Sequence, residues 1–116
     1  MITIDQINKQ RENDRLTLKA LADAGSNLCV PHEIEHHFVS SSKASLEAIL
    51  NKGRLFGYKV EKIQVIGNGE YFSIDLKKFI VPDANNIFKD SEEMLRLAEK
   101  YQVEYDGWGT SVENGS

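Results

Sequence analysis

The string His32-Glu33-Ile34-Glu35-His36 spells H-E-x-x-H. On a helix this spacing sets two histidines on one face to hold zinc, while the glutamate between them activates a water. His37 follows directly, and these three are all the histidines of the chain. The chemistry requires helical geometry. In a strand, residues four apart lie roughly 13 Å from each other at about 3.3 Å per residue, too far to share one ion. The local pattern reads as a strand, with Ile34, His36 and Phe38 on one side, Glu33, Glu35, His37 and Val39 on the other, and Pro31 just upstream. The zinc reading is therefore expected to fail, with neither metal nor cofactor bound. His36, which shares a face with Ile34 and Phe38, is expected to be a partly buried histidine whose ring nitrogens find partners within the fold. The enzymatic alternative makes His36 a general base supported by Asp106, with Tyr105 as a donor and His37 alongside, with or without a metal ion. It lacks a nucleophile and a cofactor loop.

A second informative string, Val103 to Thr110, reads Val-Glu-Tyr-Asp-Gly-Trp-Gly-Thr and sets the only tryptophan, Trp108, between Gly107 and Gly109. Glycine weakens a strand and marks a bulge or a close backbone approach. Two roles follow for Trp108. It is a structural cap whose indole folds over one end of a sheet with its N–H satisfied locally, or it is a recognition aromatic.

The elements that position these strings follow from periodicity. Asp5 to Ala24 contains no glycine or proline, carries Leu18, Leu21 and Ala22 at helical spacing, and is followed by Gly25, which predicts a first helix with a fraying polar start. The histidine strand comes next. Ser40 to Ser42 cap a second helix through Leu46, Ile49 and Leu50 that stops at Gly57. Tyr58 to Ile66 and Glu70 to Ile80 flank Gly67-Asn68-Gly69 and predict a hairpin. Beyond Pro82, the residues Ile87, Ser91, Met94, Leu95, Ala98 and Tyr101 mark a third helix, and a last strand starts at Val103.

The order is α, then β-α-β-β-α-β. This predicts an α+β, ferredoxin-like βαββαβ sandwich: a four-stranded antiparallel sheet with helices on one face, plus an extra N-terminal helix. In that arrangement the first and last strands are neighbours, which brings the two strings together. The second sheet face stays open unless the first helix covers it.

With 116 residues, 41% hydrophobic and 28% charged, one domain over 1–112 is expected, followed by a short disordered end at 113–116. No apolar run is long enough to span a membrane, and the start lacks the basic and apolar stretches of a secretory signal, so a cytoplasmic protein is expected. Cys29, the single cysteine, has no disulfide partner and reads as a small buried side chain between Leu28 and Val30. The net charge of −4 is unevenly spread: Lys43 to Ile80 holds seven basic and four acidic residues, whereas Asp90 to Ser116 holds two basic and seven acidic. An acidic surface repels nucleic-acid phosphates and suits a basic protein partner. Direct RNA contact through Lys59, Lys62, Lys77 and Lys78, with Tyr71 and Phe79 nearby, is a lesser reading, and no direct nucleic-acid binding is expected.

Three stretches together carry a resemblance. Ile34-Glu-His-His-Phe38, the helix leading into Gly57-Tyr58, and Leu97-Ala-Glu-Lys-Tyr-Gln-Val-Glu-Tyr-Asp-Gly-Trp-Gly-Thr110 resemble the bacterial RraB family, regulators of ribonuclease E. The resemblance covers most of the chain, and the Tyr-Asp-Gly-Trp-Gly stretch is its most specific part. It implies a non-catalytic protein that binds the endoribonuclease, alters the RNA degradosome and restrains RNA cleavage, and it implies the same ferredoxin-like sandwich. Because the two strings meet on neighbouring strands, Glu35, His37, Asp106 and Trp108 are the expected protein contacts. His36, Tyr105, Gly107 and Gly109 are expected to hold the motif in shape.

Overall fold

A computed structural model describes residues 2–114 in the order α1 (Ile4–Asp23), β1 (His32–Ser40), α2 (Lys43–Leu55), β2 (Lys59–Val60), β3 (Gln64–Ile66), β4 (Tyr71–Ile80), α3 (Ala84–Lys100) and β5 (Glu104–Gly109). The strands form one sheet in the order β2-β4-β1-β5, with β3 paired to β4, and every pairing is antiparallel. This is the expected α+β ferredoxin-like arrangement with its N-terminal helix, and β1 and β5 are adjacent.

The first arm of the hairpin is not one strand but two. Val60 pairs with Leu76 and Gln64 with Ser73, so four steps along one arm match three along the other. The extra residue breaks the ladder at 61–63, as a bulge does. Ile63 meanwhile packs against the main core.

Strand alternation sorts the sheet. His32, Ile34, His36 and Phe38 of β1 are buried, as are Ile74 and Leu76 of β4; Phe38, Ile74 and Leu76 form one core with Leu46 and Ile49 of α2 and Met94 and Ala98 of α3. Side chains of this size contribute about 1.5–3 kcal/mol each when fully buried. Helix α2 approaches closely because Gly53 has no side chain: a Cβ there would lie 2.7 Å from Leu76 Cδ2.

The polar start of the first helix is helical from Ile4 and capped. Thr3 and Gln6 form a reciprocal capping box, which satisfies donors that a helix start leaves open. Ile7, Asp14, Leu18 and Leu21 are its buried face, and Ala22 is exposed. This face turns toward α3 and the helix side of the sheet, where Leu18 meets Ile34 and Ile87. The other sheet face, bearing Glu35 and His37, stays open.

One further expectation is corrected. Cys29 is exposed, not buried, because its backbone N–H bonds the Asn27 side chain at 2.9 Å in a turn after α1. Glu113 meets the same turn: its carbonyl accepts from the Asn27 N–H and its N–H donates to Ser26 Oγ. Gly115 and Ser116 lie outside the described residues. Among the described residues no helix is long and apolar enough to cross a membrane.

Candidate protein-binding site

The geometry of the tryptophan string comes from one bulge. Phe38 pairs with Tyr105 and His36 with Trp108, so Asp106 and Gly107 together face His37. Gly107 absorbs the extra residue with φ +84°, a conformation that only glycine adopts at low cost. The insertion restores Trp108 to the same side as Tyr105, toward the helices. Substituting Gly107→Ala is expected to lower stability by about 1 kcal/mol, since a Cβ meets no neighbour there and only the backbone penalty acts. The shift in the urea unfolding midpoint measures it.

Trp108 is half-buried against the Leu18, Ile34 and Ile87 cluster. Its Nε1 donates to Asp14 Oδ1 at 2.8 Å. The indole is thus a cap, as one of its two readings held, but the acceptor comes from α1, 94 positions earlier in the chain. Asp14 is fully buried and also accepts from Gln10 Nε2 at 2.9 Å and from Ser91 Oγ at 2.5 Å. One carboxylate therefore ties α1 to α3 and to β5.

His36 forms a second buried knot. It is 1% exposed, and both ring nitrogens are engaged: Nε2 with Asp90 Oδ2 at 2.6 Å and Nδ1 with the Tyr105 hydroxyl at 2.8 Å. A carboxylate only accepts, so in the neutral ring Nε2 carries the proton and Nδ1 receives the Tyr105 O–H. The Tyr58 hydroxyl donates to the other Asp90 oxygen. Burial pushes the Asp90 carboxyl up, but the hydrogen bond and field of His36, the Tyr58 hydroxyl and the charge of Lys78 outweigh burial and hold it below the usual range. Both tyrosines are raised, by burial first. The bonded Asp90 and the charge of Glu93 add to this at Tyr58, and the charges of Asp14 and Asp90 add to it at Tyr105.

The pairing of His36 with Asp106 is therefore corrected: its acid is Asp90, on α3. Asp106 follows Tyr105 in the strand and stands opposite His37, not His36; it lies at the exposed rim, where its side chain has no hydrogen-bond or ion-pair partner among the described residues. His36 and His37 fall on opposite faces of one strand, so the three do not assemble into a catalytic group. The H-E-x-x-H string lies on β1, as its alternation predicted. Its other histidine, His32, is buried and bonded to the Val30 carbonyl at 2.8 Å and to Ser26 Oγ at 2.6 Å.

The four expected contact residues occupy two surfaces, not one. Asp106 and Trp108 line a cleft of about 350 Å³ between α1 and β5, together with Gln10, Asn13 and Thr17. Glu35 and His37 lie on the open sheet face, where Glu35 meets Lys77 at 3.4 Å and His37 Nδ1 meets Asp75 at 2.6 Å. Gly109 pairs with Glu35 and leaves room on that face. The lysines divide likewise: Lys77 is on the open face, while Lys78 reaches the Phe56 carbonyl and stacks over Tyr58 on the other.

Asp14, Asp90 and Tyr58 went unrecognised in the sequence. The acids left a signal, because Asp14 stands four residues before Leu18 and Asp90 between Ile87 and Met94, each a charge on an apolar helical stripe.

Residues 11–110 match the family described as regulator of ribonuclease activity B. The chain is 32% identical over 117 residues to the protein of that name from Escherichia coli (strain K12), a match spanning 98% of this chain and 85% of the relative. The Photobacterium profundum protein is 32% identical, covering 93% of this chain and 84% of its own length. The Colwellia psychrerythraea protein is 31% identical, covering 94% and 97%.

Proposed function

Because the chain belongs to the family of regulators of ribonuclease activity B, we propose that it is a cytoplasmic, protein-binding regulator of a ribonuclease E-type endoribonuclease. It restrains RNA cleavage by docking on the enzyme or its degradosome scaffold, and it catalyses nothing itself. Family membership is the observation that carries this reading. The geometry supports it: the residues best suited to chemistry, His36, Asp90, Tyr58 and Tyr105, satisfy one another inside the fold, so what the protein offers to the outside is surface. The contacts we assign are Glu35 and His37 on the open sheet face and Asp106 and Trp108 at the cleft.

Calorimetric titration of the protein into purified ribonuclease E, with cleavage of a labelled RNA followed in parallel, tests the proposal. The expected result is saturable binding and slowed cleavage. Glu35→Ala, His37→Ala and Asp106→Ala are each expected to weaken binding while leaving the thermal midpoint within about 2 °C of wild type, as surface substitutions do. Absence of binding by the folded protein overturns the reading.

A further inference from the structure

The geometry points to the outer edge of β5 as the docking strand for an extended, basic segment of the partner, an inference that rests on the regulator reading above. β5 ends the sheet order, and no backbone hydrogen bond from a loop, turn or cap reaches Glu104 to Gly109 among the described residues. An edge of this kind presents unpaired N–H and C=O groups, the template for addition of another strand.

The flanks of the edge define what it accepts. On β5 itself, Glu104 and Asp106 are exposed, and their side chains have no hydrogen-bond or ion-pair partner among the described residues. On the open-face side, a cleft of about 350 Å³ brings Glu33, Glu35 and Glu113 together with Phe79, which is 66% exposed. The cleft on the helix side offers Asp106 and the half-buried Trp108. Successive side chains of an added strand point to opposite faces. Each flank would thus receive alternate side chains, with carboxylates and an aromatic ring suited to arginine or lysine.

The same features disfavour a second copy at this edge. Two β5 edges paired with each other would set Glu104 and Asp106 against their own counterparts, and the bulge at Gly107 shortens the regular ladder. A copy offering its opposite edge, where β2 carries Lys59 and Lys62 follows in the break before β3, is the competing occupant.

The test uses a ten-residue peptide of alternating arginine and threonine. A control of identical sequence, N-methylated at every backbone amide, retains the charge but offers no N–H donor on either edge and cannot complete a ladder. Fluorescence anisotropy reads affinity, and amide exchange by NMR reads protection at Glu104 to Gly109. Both are repeated on a Glu104→Lys/Asp106→Lys variant with an unchanged thermal midpoint, and binding of purified ribonuclease E is measured beside them. The expected result is peptide binding with new protection confined to the β5 edge, and at least about a tenfold loss of affinity for the methylated peptide and for the variant. Equal affinity for all of them, protection elsewhere, or concentration-dependent self-association through the lysine edge overturns the proposal. Undiminished binding of ribonuclease E by the variant removes the edge while leaving the regulator reading intact. Pairing of the peptide without any binding of ribonuclease E removes the ribonuclease as partner and keeps the edge as a strand for basic segments.

Discussion

Replacing Asp90 by alanine is expected to cost about 3–5 kcal/mol of folding stability, the loss that follows when one partner of a buried charged network is removed. The side chain is 11% exposed and accepts from both His36 and Tyr58. Its removal leaves a fully enclosed imidazole N–H and a buried phenol without acceptors, at the centre of the Phe38, Leu76 and Met94 core. Against a typical total of roughly 5–15 kcal/mol for a domain, the variant should be marginal, and urea titration at low temperature measures it. Asp90→Asn separates charge from shape, since it keeps one acceptor for His36 or Tyr58 and should cost less. The pH dependence has a definite sign. A carboxyl held below its ordinary value in the fold contributes stability that is fully present above the unfolded value near 3.9. That contribution is lost as pH falls through the lower folded value. The wild type should therefore lose stability below about pH 4 more steeply than Asp90→Asn, and stability measured between pH 2 and 6 for both proteins tests this. Identical slopes would remove the ionised Asp90 from the account.

The contrast between the two histidine strings shows what the sequence carried. Strand alternation is a local property, so the separation of His36 from His37 and the failure of the zinc spacing were legible from Glu33 to Val39 alone. The adjacency of β1 and β5 followed from the order of elements, because a βαββαβ chain has few ways to close its sheet. The acid that would meet His36 was not legible. A regular ladder keeps strict alternation, and one inserted residue at Asp106-Gly107 changes which side chains face the helices. Gly107 announced an irregularity without saying where the register would resume. The partner of Trp108 was hidden for a different reason: Asp14 is 94 positions away, and the packing angle of α1 on α3 determines whether that carboxylate reaches β5. Composition also failed at Cys29, where apolar neighbours suggested burial and a turn held by Asn27 turned the residue outward.

Substituting Asp14→Ala is expected to cost about 3–5 kcal/mol and to loosen α1 from the rest of the domain. The carboxylate is wholly buried and makes three hydrogen bonds, from Gln10, Ser91 and Trp108. Bonds to a charged acceptor contribute about 1.5–3 kcal/mol each, and the abandoned donors add their own desolvation. Leu18 supplies apolar attachment to the sheet nearby, but the arginines of α1 meet α3 through partly exposed contacts, Arg11 to Glu92 at 3.4 Å and both Arg11 and Arg15 over the Phe88 ring, which are worth little. Amide exchange across α1 should consequently accelerate far more than across α2. A double-mutant cycle with Trp108→Phe, which keeps the ring against Ile34 and removes only the donor, should return a coupling of about 1–3 kcal/mol. Coupling near zero would mean that Ser91 and Gln10 hold the carboxylate and that the indole N–H is incidental. A large value would mean that the tryptophan at the cleft is positioned from α1, so that anything docking beside Asp106 also senses how firmly the first helix is seated.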